Sequence, residues 1–137
     1  MTDPLSRSVT MYTPPETLDR VHDLMAEIWR GSPEISKEDQ ISFETALIEL
    51  MSNVFIHADS GSGIACTLTV GISDNAISAS IRDTGEPGEI QMSISSMPDE
   101  FAESGRGLAL INALVDELSY ERENDQNHWK IMRRISN

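Results

Sequence analysis

Hydrophobic and polar positions along the chain switch repeatedly between a period of two and a period near 3.6, and the switches mark the elements. Ser6 to Tyr12 alternates and is partly β-branched, which predicts a first strand at a sheet edge. Leu18, Val21, Met25 and Ile28 then repeat at helical spacing. Thr13-Pro14-Pro15-Glu16 reads as a capping box ahead of that helix, and Gly31-Ser32-Pro33 ends it. Ser36, with Asp39 three residues on, is expected to cap a second, longer helix running to about Ala58. Its buried face is Leu47, Leu50, Met51, Val54 and Ala58.

Asp59 to Gly63 is a turn-rich break. Ile64 to Ser73 and Ala76 to Arg82 alternate around Asp74-Asn75, the pattern of an antiparallel hairpin. Asp83 to Gly105 sustains neither period and is rich in Pro, Gly, Ser and acids, so residues 86–104 are expected to form a lid, with a short helix within Ser96 to Phe101. Leu108, Ile111, Leu114 and Val115 start a further helix. Leu118 to Arg122 and His128 to Ile135 are expected to close the chain as a strand pair joined by the polar turn Glu123 to Asn127.

Strands joined by short hairpins are antiparallel neighbours, which excludes a doubly wound nucleotide fold. The expected fold class is an α/β two-layer sandwich: a mostly antiparallel mixed sheet with its helices gathered on one face. At 137 residues, positions 1–137 are expected to be a single domain with one core.

Composition narrows the partners. The net charge of −13, from 23 acidic against 10 basic residues, argues against direct contact with nucleic acid or an anionic membrane surface, and is compatible with a basic protein partner. No apolar run approaches the ~20 residues of a membrane span, and the N-terminus has no signal-like pattern, so a soluble, cytoplasmic protein is expected. The single cysteine, Cys66, falls in a predicted strand and excludes both an intrachain disulfide and a thiolate metal cluster.

Three stretches carry candidate chemistry. On the second helix Glu49, Asn53 and His57 step by four, drifting about 40° per step along the shoulder of the apolar face. Ser42 and Ala46 are expected to leave room beside them. An amide oxygen one turn from a carboxylate suits a magnesium nucleotide: the Asn is a hard oxygen ligand, and the Glu can orient or deprotonate an attacking hydroxyl. The plainer alternative is an amphipathic helix with a polar flank.

Asp83-Thr84-Gly85 ends a strand, where a carboxylate can accept from an exocyclic amine and glycine lets a flat ring approach; the alternative is an Asx turn. Ser104-Gly105-Arg106-Gly107-Leu108 leads into a helix N-terminus, whose free N–H groups and dipole favour phosphate, with Arg106 adding a charge. The alternative is a hinge. It has no P-loop Lys, so neither Walker A nor a dinucleotide fingerprint fits.

In this order and spacing the three stretches resemble those of the Bergerat-fold ATPases of gyrase, chaperone and histidine-kinase type, and most of all the small anti-sigma factor serine kinases. Glu49 to Ala58 resembles the family's N box, Asp83 to Gly85 its first glycine box and Gly105 to Leu108 its second. The resemblance implies ATP and Mg²⁺ as cofactors. It implies Glu49 as the base acting on a partner's serine, Asn53 as the Mg²⁺ ligand, Asp83 as the reader of the adenine amine and Gly85 as a shaper of that pocket. Gly105, Arg106, Gly107 and Leu108 are implied to hold the phosphates, and His57 to pack behind the site. It also implies a homodimer that sequesters a sigma factor and phosphorylates a serine of its antagonist. The alternative is a partner switch that binds ATP without transferring a phosphoryl group. Two departures stand out. Pro87 occupies the place of a second glycine, with Gly88 one position later, and His128-Trp129-Lys130-Ile131 lacks the late-strand Thr that some relatives place near the base.

Overall fold

The computed structural model describes residues 5–13, 18–58, 64–73, 75–85 and 109–135. The elements are β1 (Leu5–Thr13), α1 (Asp19–Arg30), α2 (Lys37–Ala58), β2 (Ile64–Ser73), β3 (Ala76–Asp83), a short helix α3 (109–114), β4 (Glu117–Glu123) and β5 (Gln126–Arg134). The five strands form one sheet in the order β1-β2-β3-β5-β4, with every neighbouring pair antiparallel. The expected mixed sheet is therefore wholly antiparallel among the described residues.

Alternation decides which sheet face is covered. Ile64, Cys66, Leu68, Val70 and Ile72 on β2, Ile77, Ala79 and Ile81 on β3, and Trp129 and Ile131 on β5 are buried. They form one core with Val21, Leu24, Met25 and Ile28 of α1 and Phe43, Ala46, Leu47, Leu50, Met51 and Val54 of α2. The opposite face carries short hydroxyls paired across strands: Ser8 Oγ with Thr69 Oγ1 at 2.6 Å and Thr10 Oγ1 with Thr67 Oγ1 at 3.2 Å. The two-layer sandwich stands as expected.

Two local expectations are corrected. Thr13 does not cap a helix, because its backbone completes β1 opposite Ile64. The N-cap position of α1 is Leu18, which makes no side-chain cap; its carbonyl instead accepts from Val21 N and His22 N. Ala46 does not open a flank beside Glu49, because it is fully buried in the core.

Ser36 caps α2 as expected, with its Oγ accepting from Asp39 N at 3.1 Å. The Asp39 side chain turns inward to a buried salt bridge, accepting from Arg133 Nε at 2.9 Å, while Arg133 Nη1 donates to Leu114 O at 2.7 Å. One guanidinium thus ties the start of α2, the end of α3 and β5 together. On the outer side, Glu44 of α2 accepts from the Trp29 indole of α1 at 2.8 Å and lies 3.0 Å from His22 Nδ1.

The β4–β5 turn is tighter than expected. It consists of Asn124 (φ 54°) and Asp125 (φ 63°), the double left-handed geometry of a type I′ hairpin whose twist suits the strands. Glu123 and Gln126 already pair with each other, so Gln126 and Asn127 belong to β5 rather than to a loop.

Candidate functional site

Asp83 is the last residue of β3, a strand flanked on both sides, and its Cα partners are Cys66 on β2 and Asn127 on β5. It shares the inward parity of Ile77, Ala79 and Ile81, so the carboxylate is carried into the layer under the helices and is only 1% exposed. Its two oxygens differ. Oδ1 accepts from Gly85 N at 2.9 Å and from Asn127 Nδ2 at 2.8 Å. Oδ2 is buried and has no hydrogen-bond partner. The Asx turn is therefore present, closed by one oxygen, while the other oxygen has no hydrogen-bond partner.

Thr84 locks this corner to β2, donating its N–H to Ala65 O and accepting from Ala65 N at Oγ1, both at 3.1 Å. Burial pushes the Asp83 carboxyl above its ordinary range, against the opposing pull of N–H groups of Asn127, Gly85 and the Trp129 indole and of the Arg122 guanidinium. Beside it, burial and then the Asp83 charge push the Cys66 thiol up to about 12, so this cysteine is an inert core group.

A second tier holds the first. Asn127, 2% exposed, accepts at Oδ1 from Tyr120 Oη at 2.6 Å and from Arg122 Nη1 at 3.0 Å. The same Arg122 Nη1 donates to Gly85 O at 3.0 Å. The Tyr120 ring stacks obliquely on Trp129, with centroids 4.4 Å apart. Sequence reasoning missed Asn127, Tyr120 and Arg122. The signal was parity: Asn127, Trp129, Ile131 and Arg133 fall on alternate positions, and extending that alternation back past His128 puts Asn127 on the inward face.

On α2, Glu49 and Asn53 are half-buried and one turn apart. The Asn53 Nδ2 is buried without a partner, so its amide is a second polar group with unused capacity. The helix packs across β3 and β5, the strands that supply Asp83 and Asn127. Among the described residues no group of three or more His, Cys, Asp or Glu stands together for a metal. The residues nonetheless fit a nucleotide carrying Mg²⁺, an ion that commonly takes one or two protein oxygens and completes its shell with phosphates and water.

Gly105, Arg106, Gly107 and Leu108, the lid at 86–104 and the side chain of His57 lie outside the described residues. The structure thus brings Asp83 and Gly85 together with Asn127. Clefts of about 420 and 430 Å³ lie elsewhere, one between β1 and α1 and one along α1 and α2, and none of Glu49, Asn53, Asp83 or Gly85 lines either.

The profile of the family described as the histidine kinase-like ATPase domain matches residues 13–132. The chain belongs to that family. Solved structures agree at the level of fold. The RsbU and RsbW domains of Rv1364c from Mycobacterium tuberculosis superpose with a TM-score of 0.67 at 20% identity, covering 99% of this chain and 33% of that one. The catalytic domain of the histidine kinase ThkA gives 0.55 at 15% identity, covering 93% and 95%. The histidine kinase domain of a blue-light activated histidine kinase from Erythrobacter litoralis EL346 gives 0.54 at 16%, covering 70% and 47%. The chain thus spans less than half of two of these three neighbours. A comparison with curated proteins found no match.

As a histidine kinase-like ATPase domain, the molecule is built to bind ATP. No helix among the described residues is long and apolar enough to cross a membrane.

Proposed function

We propose that this histidine kinase-like ATPase domain is a Mg-ATP-dependent protein serine kinase that acts as an anti-sigma factor, holding a sigma factor and phosphorylating a serine on that factor's antagonist. The observation that carries the nucleotide half of this reading is the buried, unpartnered Asp83 Oδ2, an acceptor suited to the adenine amine. The family match and the fold shared with an RsbW-containing protein support the kinase half. An acidic chain of net charge −13 suits a basic partner such as a sigma factor.

Each residue has a defined task. Asp83 accepts from the base, while Gly85 leaves its edge open. Glu49 takes the proton of the incoming serine hydroxyl. Asn53 offers its amide oxygen as a ligand for Mg²⁺, which when bound neutralises charge on the phosphates. The glycines of Gly105 to Leu108 give free N–H groups to the phosphates, and Arg106 adds a charge-assisted contact. A homodimer in the cytoplasm completes the proposal.

The test is a phosphotransfer assay with Mg-ATP and a small antagonist protein. Glu49→Ala is expected to lower transfer by about 10²-fold or more, the usual worth of a general base, with ATP affinity retained. Equal transfer by that variant removes Glu49 from the mechanism. Tight ATP binding with no transfer by the unaltered protein reassigns the domain to a non-catalytic partner switch.

A further inference from the structure

We infer that Asn127, held by Tyr120 and Arg122, is a positioning residue that fixes which oxygen of Asp83 meets the ligand, and so sets the selectivity of the site for a 6-amino over a 6-oxo purine. The inference rests on the proposed role of Asp83 and adds to it a determinant from another strand.

The geometry leaves the Asn127 amide one orientation. A guanidinium has donors only, so the atom 3.0 Å from Arg122 Nη1 must be the amide oxygen. The Tyr120 hydroxyl, 2.6 Å away, donates to the same oxygen. The amide nitrogen is thereby turned to Asp83 Oδ1, at 2.8 Å. Rotating the amide would set its N–H groups against Arg122 and its oxygen against a carboxylate, losing the bonds to both.

The Asp83 carboxylate inherits that orientation. With Gly85 N and Asn127 Nδ2 both on Oδ1, its plane is fixed and Oδ2 is left as the one buried acceptor without a partner. An amine at that point gains a hydrogen bond to a charged acceptor. A carbonyl oxygen there faces a carboxylate and gains none, and a site built around such a bond rejects the analogue lacking it. If Asn127 were absent, the carboxylate would be free to rotate about its last torsion and share both oxygens between turn and ligand.

Tyr120 and Arg122 can reach Asn127 because they occupy alternate, inward-facing positions on the edge strand β4, with Arg122 paired to Asn127 and Tyr120 to Trp129. Arg122 also holds Gly85 O, so the backbone after Asp83 and the amide beside it answer to one side chain.

The experiment is isothermal titration calorimetry of the full chain with ADP and with IDP, at one fixed Mg²⁺ concentration. The unaltered protein is expected to bind ADP more tightly than IDP. Asn127→Ala is expected to shrink the ADP-to-IDP affinity ratio about ten-fold, the scale of one well-made buried hydrogen bond, with IDP affinity changed less than about two-fold. A merely structural role would lower both affinities together and leave the ratio alone, and that result overturns the inference. If Asn127→Ala does not fold, the double variant Tyr120→Phe with Arg122→Ala, which keeps Asn127 but frees its amide, is expected to shrink the ratio as well; an unchanged ratio there overturns the clamp. No ADP preference in the unaltered protein overturns the role of Asp83 itself, and the inference with it.

Discussion

Two buried carboxylates sit at opposite ends of the β3–β5 pair, and the sheet treats them differently. Asp39, at the start of α2, meets Arg133, which stands on β5 across from Ile77. Asp83 meets Asn127, six residues back along β5 and about 20 Å away at strand spacing. The first acid is matched by a full positive charge that is itself bound to Leu114 O. The second is matched by a neutral amide, with its charge partner Arg122 one step removed and one oxygen unspent. Buried polar groups are normally satisfied, so among the described residues Asp83 Oδ2 and Asn53 Nδ2 stand out as the two side-chain atoms that are not. The matched acid holds helices to the sheet, and the unmatched one is the group to which the proposed function assigns the base.

The contrast can be broken from either side. Arg133→Ala removes the cation beside a buried carboxylate and is expected to cost about 3–5 kcal/mol of stability in urea unfolding, while ADP affinity of the folded fraction stays unchanged. A loss below about 1 kcal/mol would mean that the pair contributes little. Asp83→Asn does the reverse. The new amide oxygen still accepts from Gly85 and Asn127, but the free acceptor becomes a donor, so ADP affinity is expected to fall by roughly a hundred-fold or more.

The same variant should unfold at higher urea at neutral pH, because it removes a carboxylate whose charged form burial disfavours. The sign follows from linkage. Since the folded-state pKa is raised, protonation of Asp83 favours the folded state. Its contribution is fully present below the unfolded pKa and is lost as pH rises through the folded one. The stability gap between Asp83→Asn and the unaltered protein should therefore widen on going from acid to neutral pH; a constant gap would show the acid to be fully compensated, and a narrowing one a lowered folded-state pKa. The smallest effect is local: Ser36→Ala removes one cap bond and should cost about 1 kcal/mol, with no change in nucleotide binding.

The fold was legible wherever one face of an element is apolar. The alternation in Ile64 to Ser73 and the helical spacing of Leu47, Leu50, Met51 and Val54 gave β2 and α2 close to their observed limits. Of the site, Asp83 and Gly85 were legible as a strand end followed by glycine. Asn127 was not, because Glu123 to Asn127 is polar at every position and reads as a turn. Its importance comes from the register Asp83↔Asn127, a pairing between residues 44 apart that no local period encodes. The strand order β1-β2-β3-β5-β4 is long-range information of the same kind. Where the sequence reading failed at Thr13, a residue with the right side chain for a cap was instead taken up by the sheet.

The two left-handed residues Asn124 and Asp125 give the β4–β5 connection no slack. Side chains switch faces with each residue along a strand, so lengthening that bend by a single amino acid would put Tyr120 and Arg122 on the opposite face from Asn127. The bonds that Tyr120 and Arg122 make to Asn127, and through it to Asp83 at the far end of β3, therefore depend on the brevity of a surface hairpin.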